Sequence, residues 1–200
     1  MGLRGKEPMS DPRCIELQRR IEIEKYEDAG HGSCWLTDER VASPVEQAVL
    51  HFDGKRYRLL AWCIMPNHVH VLIETYPNFP LASVVHWWKS FTANEANRIL
   101  GREGEFWQRE YFDRFIRDEE HLRAAIAYIA HNPVKAGFGR SASQWRFSSA
   151  FARSATGSAA FQAAKDNSRQ DAGAPRVDRT TGWETMLTAL VETGFQITAT

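Results

Sequence analysis

The chain has 200 residues, of which 43% are hydrophobic and 12% aromatic, with 25 Lys/Arg against 25 Asp/Glu. This length and composition fit one globular domain with some excess, and they exclude a chain too polar to bury a core. The formal net charge of zero gives no global argument for a nucleic-acid partner.

The cysteines and the apolar runs bear on cellular location. Three cysteines lack CxxC spacing, which predicts reduced thiols in a cytosolic protein: Cys14, Cys34 and Cys63. No apolar run approaches the roughly 18 residues of a membrane span, and the polar segment 1–13 lacks a signal-peptide core. We therefore predict a cytoplasmic protein with no membrane partner and a disordered N-terminus over residues 1–13.

Two helices are predicted before the first strand. Residues 14–26 place spaced apolar residues among dense charges, which favours a short helix. Residues 43–46 read Ser-Pro-Val-Glu, a capping box with proline at the first helical position. A helix is therefore predicted from Ser43 to a stop at Asp53, with four apolar positions: Val45, Val49, Leu50 and Phe52.

A β-hairpin is predicted next. Residues 57–65 are rich in β-forming residues, and Pro66-Asn67 is a turn signal before the run 68–74. Because a strand has a side-chain period of two, alternate residues of the second strand share one face: His68, His70, Leu72 and Glu74.

Two imidazoles at alternate positions of a rigid strand can point at one ion. Imidazole is the commonest protein ligand for divalent metals, so His68 and His70 are candidate metal ligands. The alternative is a pair of half-exposed histidines on an edge strand. The metal interpretation requires a third ligand and a nucleophile from elsewhere in the chain.

An amphipathic helix of about 18 residues is predicted after the loop 76–80 and ends near Gly101. Its apolar positions recur at helical spacing: Leu81, Val84, Val85, Trp88 and Phe91. Trp87 and Lys89 lie off this stripe and are candidates to stack on, or pair with, a DNA ligand. A partly covered surface tryptophan is the alternative for Trp87.

A strand over residues 111–116, which contains Arg114, and a further helix are predicted next. Asp118 is the predicted N-cap and Pro133 the predicted end, after which Gly137 permits a turn. The predicted core stripe of this helix is Leu122, Ala125, Ile126 and Ile129. Tyr128 falls well over 90° from that stripe, with Asn132 one turn later on the same face. The alternative for Tyr128 is a ring packed on a neighbouring element.

The last part of the sequence predicts a linker over residues 152–182 and a short helix or tail over 183–200, which leaves residues 14–151 as the domain. Residues 121–165 hold six basic and no acidic residues, whereas residues 1–120 hold 16 basic against 20 acidic. We predict that this basic segment follows a phosphate backbone, although a solvated basic face is the alternative. The six are Arg123, Lys135, Arg140, Arg146, Arg153 and Lys165.

Three stretches together resemble the REP-associated tyrosine transposases, which are single-tyrosine enzymes that act on single-stranded DNA. They are residues 65–74 (MPNHVHVLIE), 107–117 (WQREYFDRFIR) and 128–138 (YIAHNPVKAGF), and the match runs from about residue 28 to 150. The resemblance implies His68 and His70 as metal ligands, Asn132 as the third ligand and Tyr128 as the nucleophile. It implies single-stranded or hairpin DNA as the partner, and it leaves monomer and homodimer open. Two histidines with oxygen ligands form a site of intermediate softness, so Mg²⁺ or Mn²⁺ is the expected cofactor.

The resemblance also implies an α/β fold, a ferredoxin-like sandwich with an antiparallel sheet and helices packed on one face. One departure concerns the first strand, which family members carry upstream of the first helix and which residues 1–13 do not resemble. That strand lies beside the histidine strand in a ferredoxin-like sheet, so its loss predicts an unpaired interior edge.

The predicted function is a metal-dependent single-stranded DNA endonuclease and strand transferase that forms a 5′-phosphotyrosine at hairpin (REP-like) DNA. The first alternative is a catalytically weak or inactive protein that binds hairpin DNA in a structural or regulatory role, which the missing strand favours. A second alternative is a metal-dependent hydrolase that activates water, with Tyr128 uninvolved.

Overall fold

A computed structural model describes residues 33–109, 111–155 and 188–194. In chain order its main elements are α1 (Glu39–His51), β1 (Tyr57–Ile64), β2 (His68–Thr75), α2 (Leu81–Leu100), β3 (Phe112–Phe115), α3 (Glu119–Lys135) and β4 (Thr188–Gly194). The predictions for residues 1–13 and 14–26, and for most of the linker, lie outside the described residues. Among those that are described, no helix is long and apolar enough to cross a membrane.

The sheet is antiparallel throughout, with strand order β1-β2-β4-β3. The predicted hairpin is confirmed, since β1 pairs with β2 from Tyr57 opposite Thr75 to Ile64 opposite Val69. The histidine strand β2 therefore lies inside the sheet, between β1 and β4, and not at its edge. This arrangement confirms the predicted α/β fold with an antiparallel sheet.

The prediction of a short C-terminal helix or tail over residues 183–200 is wrong for residues 188–194, which form β4. This strand pairs with β2 from His68 opposite Gly194 to Glu74 opposite Thr188. It occupies the position that the first strand takes in a ferredoxin-like sheet. A short apolar run fits either a helix or a strand, and here the open backbone groups of β2 and β3 decide in favour of a strand. The folded domain thus includes residues beyond 151.

The first helix begins earlier than the capping-box pattern predicts. Asp38 is the N-cap and accepts a hydrogen bond from the backbone N–H of Arg40 at 2.9 Å, so Pro44 lies inside α1. The additional first turn adds core residues, because Val41 and Ala42 are fully buried. Leu50, one of the four apolar positions predicted for this helix, is 40% exposed.

The second helix has the predicted extent and ends at Gly101, whose φ of 63° is the left-handed conformation that glycine adopts readily. Four of its predicted apolar residues are buried: Leu81, Val84, Val85 and Trp88. Phe91 is not, and it stacks on Trp87 on the outer surface with ring centroids 5.5 Å apart.

The third helix begins where predicted, since Asp118 Oδ1 accepts the backbone N–H of His121 at 2.7 Å. Pro133 does not end it, because a proline in the last turn removes only one helical hydrogen bond. The helix ends instead in a Schellman motif, in which the N–H of Phe138 donates to the carbonyl of Pro133 at 2.9 Å and Gly137 has a φ of 81°.

The two faces of the sheet carry different layers. A cluster that includes Val69, Val71 and Ile73 packs against α1 and α2, so these two helices lie on one face as predicted. The opposite face, which includes Leu72, is covered by α3, so the prediction that helices pack on one face does not hold for this third helix. Because both faces are covered, all eight residues of β2 are buried, including both histidines.

Candidate active site

His68 and His70 converge at the covered face of β2. Each is 1% exposed, their Nε2 atoms lie 2.8 Å apart, and their ring planes meet at 82°. The predicted alternation of the strand is therefore confirmed, and both rings present the same nitrogen to one point.

Asn67 is a site residue that sequence reasoning treated only as part of a turn. Its Oδ1 lies 2.8 Å from Nδ1 of His68, and the side chain is 3% exposed. In this orientation the carbonyl oxygen accepts the Nδ1 proton, which leaves Nε2 of His68 with its lone pair directed at His70. The only signal in the sequence was an amide directly before the first histidine.

Asn132 reaches the same point from α3. It is 1% exposed, and its Nδ2 lies 2.9 Å from Nε2 of His70. The buried stripe of α3 contains Ala125, Ile129 and Asn132, at spacings of four and three residues. This stripe is rotated from the predicted one, because the polar side chain of Asn132 is directed at the sheet.

Tyr128 is half buried and lies at the flank of the observed stripe. The prediction that it lies well over 90° from the buried stripe is therefore wrong. Its ring meets the ring of His70 edge to face, with centroids 5.4 Å apart. Lys135 lies on the same side of α3, with Nζ 5.9 Å from the centroid of the tyrosine ring. The phenol, an ammonium group and the two imidazoles are thus gathered where α3 crosses β2.

The donor set fits a divalent cation. Metal–nitrogen and metal–oxygen bonds of about 2.0–2.1 Å place adjacent ligands about 3 Å apart, close to the 2.8 and 2.9 Å separations observed. If Oδ1 of Asn67 accepts the Nδ1 proton of His68 and Nδ2 of Asn132 donates to Nε2 of His70, both Nε2 atoms carry lone pairs. These lone pairs face each other, and a cation between them would relieve their repulsion. Rotation of the Asn132 amide would present its oxygen as a third ligand.

The described residues contain no cluster of three or more His, Cys, Asp or Glu side chains suited to a metal. The site built from them therefore consists of two imidazoles and one amide. Such a set leaves coordination positions open for a substrate oxygen and water, as catalytic metal sites do.

The metal-free protein should lose stability as the pH falls below the ordinary imidazole range. Burial, assisted by the charges of His70 and Lys135, holds the pKa of His68 well below its usual value of 6.5. Below about pH 6.5 the His68 imidazole is protonated in the unfolded chain but stays neutral in the folded chain. The free energy of unfolding therefore decreases as the pH drops toward the pKa of His68 in the folded protein. Urea unfolding in chelator between pH 8 and 5 measures this slope.

A His68→Asn variant supplies the comparison, because it removes the titrating group at this position. Its stability should depend less steeply on pH than that of the wild type over the same interval. An equal slope in the two proteins would mean that His68 titrates as it does in the unfolded chain.

Two predicted DNA contacts lie away from this site. Trp87 packs against the core on the α1 and α2 side of the sheet, opposite to the histidines, and its ring stacks on His51 at 5.7 Å. Lys89 is directed at the loop after α2, where Nζ donates to the carbonyl oxygens of Gln108 and Arg109, the latter at 2.9 Å. Their roles in DNA binding stay predictions, and the structure gives Lys89 a loop-anchoring contact.

The predicted basic contacts divide into two kinds. Arg123 pairs with Glu119 at 2.7 Å and Arg146 with Glu46 at 3.0 Å, so part of their charge is already compensated. The cations of the other kind are exposed: Arg114 on β3, Lys135 at the end of α3 and Arg140 after it. Among these, Lys135 is the one placed beside Tyr128.

Comparisons with known proteins identify the family. The sequence model of a family described as "Transposase IS200 like" matches residues 36–132, an interval that includes His68, His70, Tyr128 and Asn132. A putative REP-associated tyrosine transposase of Haemophilus influenzae is 30% identical over 128 residues, which are 58% of this chain and 70% of the relative. A solved structure described as a REP-associated tyrosine transposase bound to a REP hairpin aligns with a TM-score of 0.48 and 24% identity, over 76% of this chain and 84% of that chain. The chain belongs to the family of REP-associated tyrosine transposases.

Proposed function

We propose that this chain is a metal-dependent single-stranded DNA endonuclease and strand transferase that acts on hairpin, REP-like DNA. The observation that supports this function best is the convergence of two imidazole Nε2 atoms, 2.8 Å apart, with the Asn132 amide, whose Nδ2 lies 2.9 Å from Nε2 of His70. The ring centroid of Tyr128 lies 5.4 Å from that of His70. A buried histidine pair without a nearby nucleophile would support a structural metal site equally well.

The proposed reaction is a phosphoryl transfer to tyrosine. Oη of Tyr128 forms a bond to phosphorus as the bond to the 3′ oxygen breaks, so the phenol loses a proton and the departing 3′ oxygen gains one. The product is a 5′-phosphotyrosine and a free 3′-OH. Because one phosphoester replaces another, a 3′-OH can reverse the step, which suits strand transfer better than hydrolysis.

His68, His70 and Asn132 are the residues that would hold a divalent ion. When bound there, such an ion supplies Lewis-acid neutralisation of the non-bridging phosphate oxygens. Two imidazole nitrogens and an amide oxygen form a site of intermediate softness, so Mg²⁺ or Mn²⁺ is expected to support catalysis, with Mn²⁺ the better match to nitrogen. Zn²⁺ should bind tightly with little turnover.

Lys135 would act on the same phosphate. An ammonium group within 6 Å of the phenol ring can attract the phosphodiester and offset charge on the phenolate oxygen. Because Lys135 follows Asn132 by three residues on one helix, a single rigid element would carry the nucleophile, a ligand and this cation.

A labelled hairpin oligonucleotide tests the proposal directly. After incubation with Mn²⁺ and denaturation, a 3′-end label should migrate with the protein, whereas a 5′-end label should be released on the fragment that ends in 3′-OH. The opposite distribution of labels would contradict the 5′-phosphotyrosine. Release of both labels without an adduct would favour hydrolysis by activated water.

The alternative of an inactive hairpin-binding protein rested on the prediction that one edge of the histidine strand is unpaired. In the described sheet β4 pairs with β2 along its whole length, so the histidine strand has two neighbours. The specific argument for the inactive protein is therefore removed.

Neutralising three cations of the basic segment should weaken the salt dependence of DNA binding. In a variant with Arg123, Lys135 and Arg140 changed to Gln, the slope of log affinity against log salt should flatten by about 0.7 for each phosphate that no longer pairs with a cation. Filter binding or anisotropy from 50 to 300 mM NaCl gives the slope. Arg98→Gln on α2 is the control and should not change this slope. An unchanged slope in the triple variant would show that the three cations are solvated surface charges that do not pair with phosphates.

A further inference from the structure

We propose that Asn67 is a positioning residue that fixes the tautomer and orientation of His68 for metal binding. The inference rests on the metal site of the proposed function and extends it to a residue that is neither ligand nor nucleophile. Its geometric basis is the 2.8 Å contact between Oδ1 of Asn67 and Nδ1 of His68, on the side of the ring opposite to His70.

The turn that carries Asn67 is held rigidly. The N–H of Met65 donates to the carbonyl of His68 at 2.8 Å and closes the hairpin, while the N–H of Leu36 donates to the carbonyl of Pro66 at 3.0 Å. The Asn67 side chain is 3% exposed and joins a ring that is 1% exposed. Its amide therefore sits in a packed environment and cannot leave the imidazole for solvent without opening the turn.

A neutral imidazole carries one N–H, so its two nitrogens have opposite roles. If Asn67 accepts the Nδ1 proton, Nε2 of His68 has a lone pair at the point shared with His70 and Asn132. The reversed amide would donate to Nδ1 and place the proton on Nε2, where it would block a metal. Binding of an ion thus requires the arrangement in which Oδ1 of Asn67 faces Nδ1 of His68, and these two atoms lie 2.8 Å apart.

A turn residue alone would not need this contact. Asp, Gly or Ser would also serve in such a turn. An asparagine with a role in the turn alone could direct its side chain at its own backbone or at water. The Asn67 amide is buried, and its Oδ1 lies 2.8 Å from Nδ1 of the metal-ligand ring. Ligating histidines characteristically donate their second N–H to such a partner, and removal of the partner typically lowers metal affinity about 10- to 100-fold.

Two measurements test the role without reference to activity. Two-bond ¹H–¹⁵N spectra of metal-free protein with labelled histidines should show a protonated Nδ1 and an unprotonated Nε2 for His68. Mn²⁺ titration followed by electron paramagnetic resonance gives the metal affinity. Asn67→Ala should mix the two tautomers and weaken Mn²⁺ binding by about 10- to 100-fold, whereas Asn67→Asp, which keeps an acceptor, should retain the tautomer and most of the affinity.

Asn97→Ala is the matched control, since it removes a 2.8 Å hydrogen bond from an asparagine on α2 to the carbonyl of Gly104, away from the site. It should change neither measurement. A wild-type spectrum with the proton on Nε2 of His68 would by itself overturn the inference. So would an Asn67→Ala variant in which the His68 tautomer and the Mn²⁺ affinity are both unchanged. If the wild type shows the expected tautomer but binds no Mn²⁺, the metal site of the proposed function fails while the Asn67 hydrogen bond stands.

Discussion

Replacing Tyr128 by Phe should abolish covalent capture of a hairpin oligonucleotide while DNA binding stays within a few fold. The substitution keeps the ring that packs edge to face on His70 at 5.4 Å, and it removes only the oxygen that would form the bond to phosphorus. The adduct should fall below the limit of detection, because the variant lacks the oxygen proposed as the nucleophile. Denaturing gels measure the adduct, and anisotropy measures binding.

Tyr111→Phe is the matched control. Tyr111 is a half-buried tyrosine on the loop before β3, and its ring lies near Lys89 of α2. Its variant should form the adduct as the wild type does. An adduct that persists in Tyr128→Phe would assign the nucleophile to another residue. Cleavage without any adduct, in both wild type and variant, would support the activated-water hydrolase.

Removing both histidines should eliminate cleavage, with no rescue by excess metal. In His68→Ala or His70→Ala one ring and the amide of Asn132 remain, so high Mn²⁺ should restore part of the activity. The double variant retains only the amide, which cannot hold a divalent ion against water. Cleavage of a hairpin substrate across a Mn²⁺ titration distinguishes the single from the double variant.

His131→Ala controls for the removal of a histidine near the site. This exposed residue lies on α3, and its Nδ1 is 2.9 Å from the helix carbonyl oxygen of Ala127. The variant should cleave as the wild type does. Circular dichroism must show that the double variant remains folded, since both removed rings are buried. If the folded double variant cleaved the substrate in the presence of chelator, β2 would be part of the core only and would not carry a metal site needed for cleavage.

The parts of the site that could be predicted from the sequence depend on local rules. The shared face of His68 and His70 follows from the period of a strand, and the position of Asp118 follows from helix capping. The placement of Asn132 required the family resemblance, because helical periodicity predicted a stripe of larger apolar residues. The actual stripe includes an amide, since the imidazole pair across the interface offers that amide a polar partner.

The parts that could not be predicted depend on distant contacts. Residues 188–194 have no local signal that separates strand from helix, and only the open edges of β2 and β3 decide the outcome. The role of Asn67 could not be recognised for a related reason. Its turn propensity was visible in the sequence, but the direction of its side chain depends on how the hairpin packs.

The central place of β4 affects the order in which the protein can fold during synthesis. The β1–β2 hairpin is local and can form in about 1–10 μs, but β2 gains its second neighbour only after Gly194 has left the ribosome. Until then a nascent chain already carries His68, His70, Tyr128 and Asn132 with one side of the histidine strand open to other strands. We therefore expect that closure over residues 76–187, and not hairpin formation, sets the time at which the imidazoles become rigidly held.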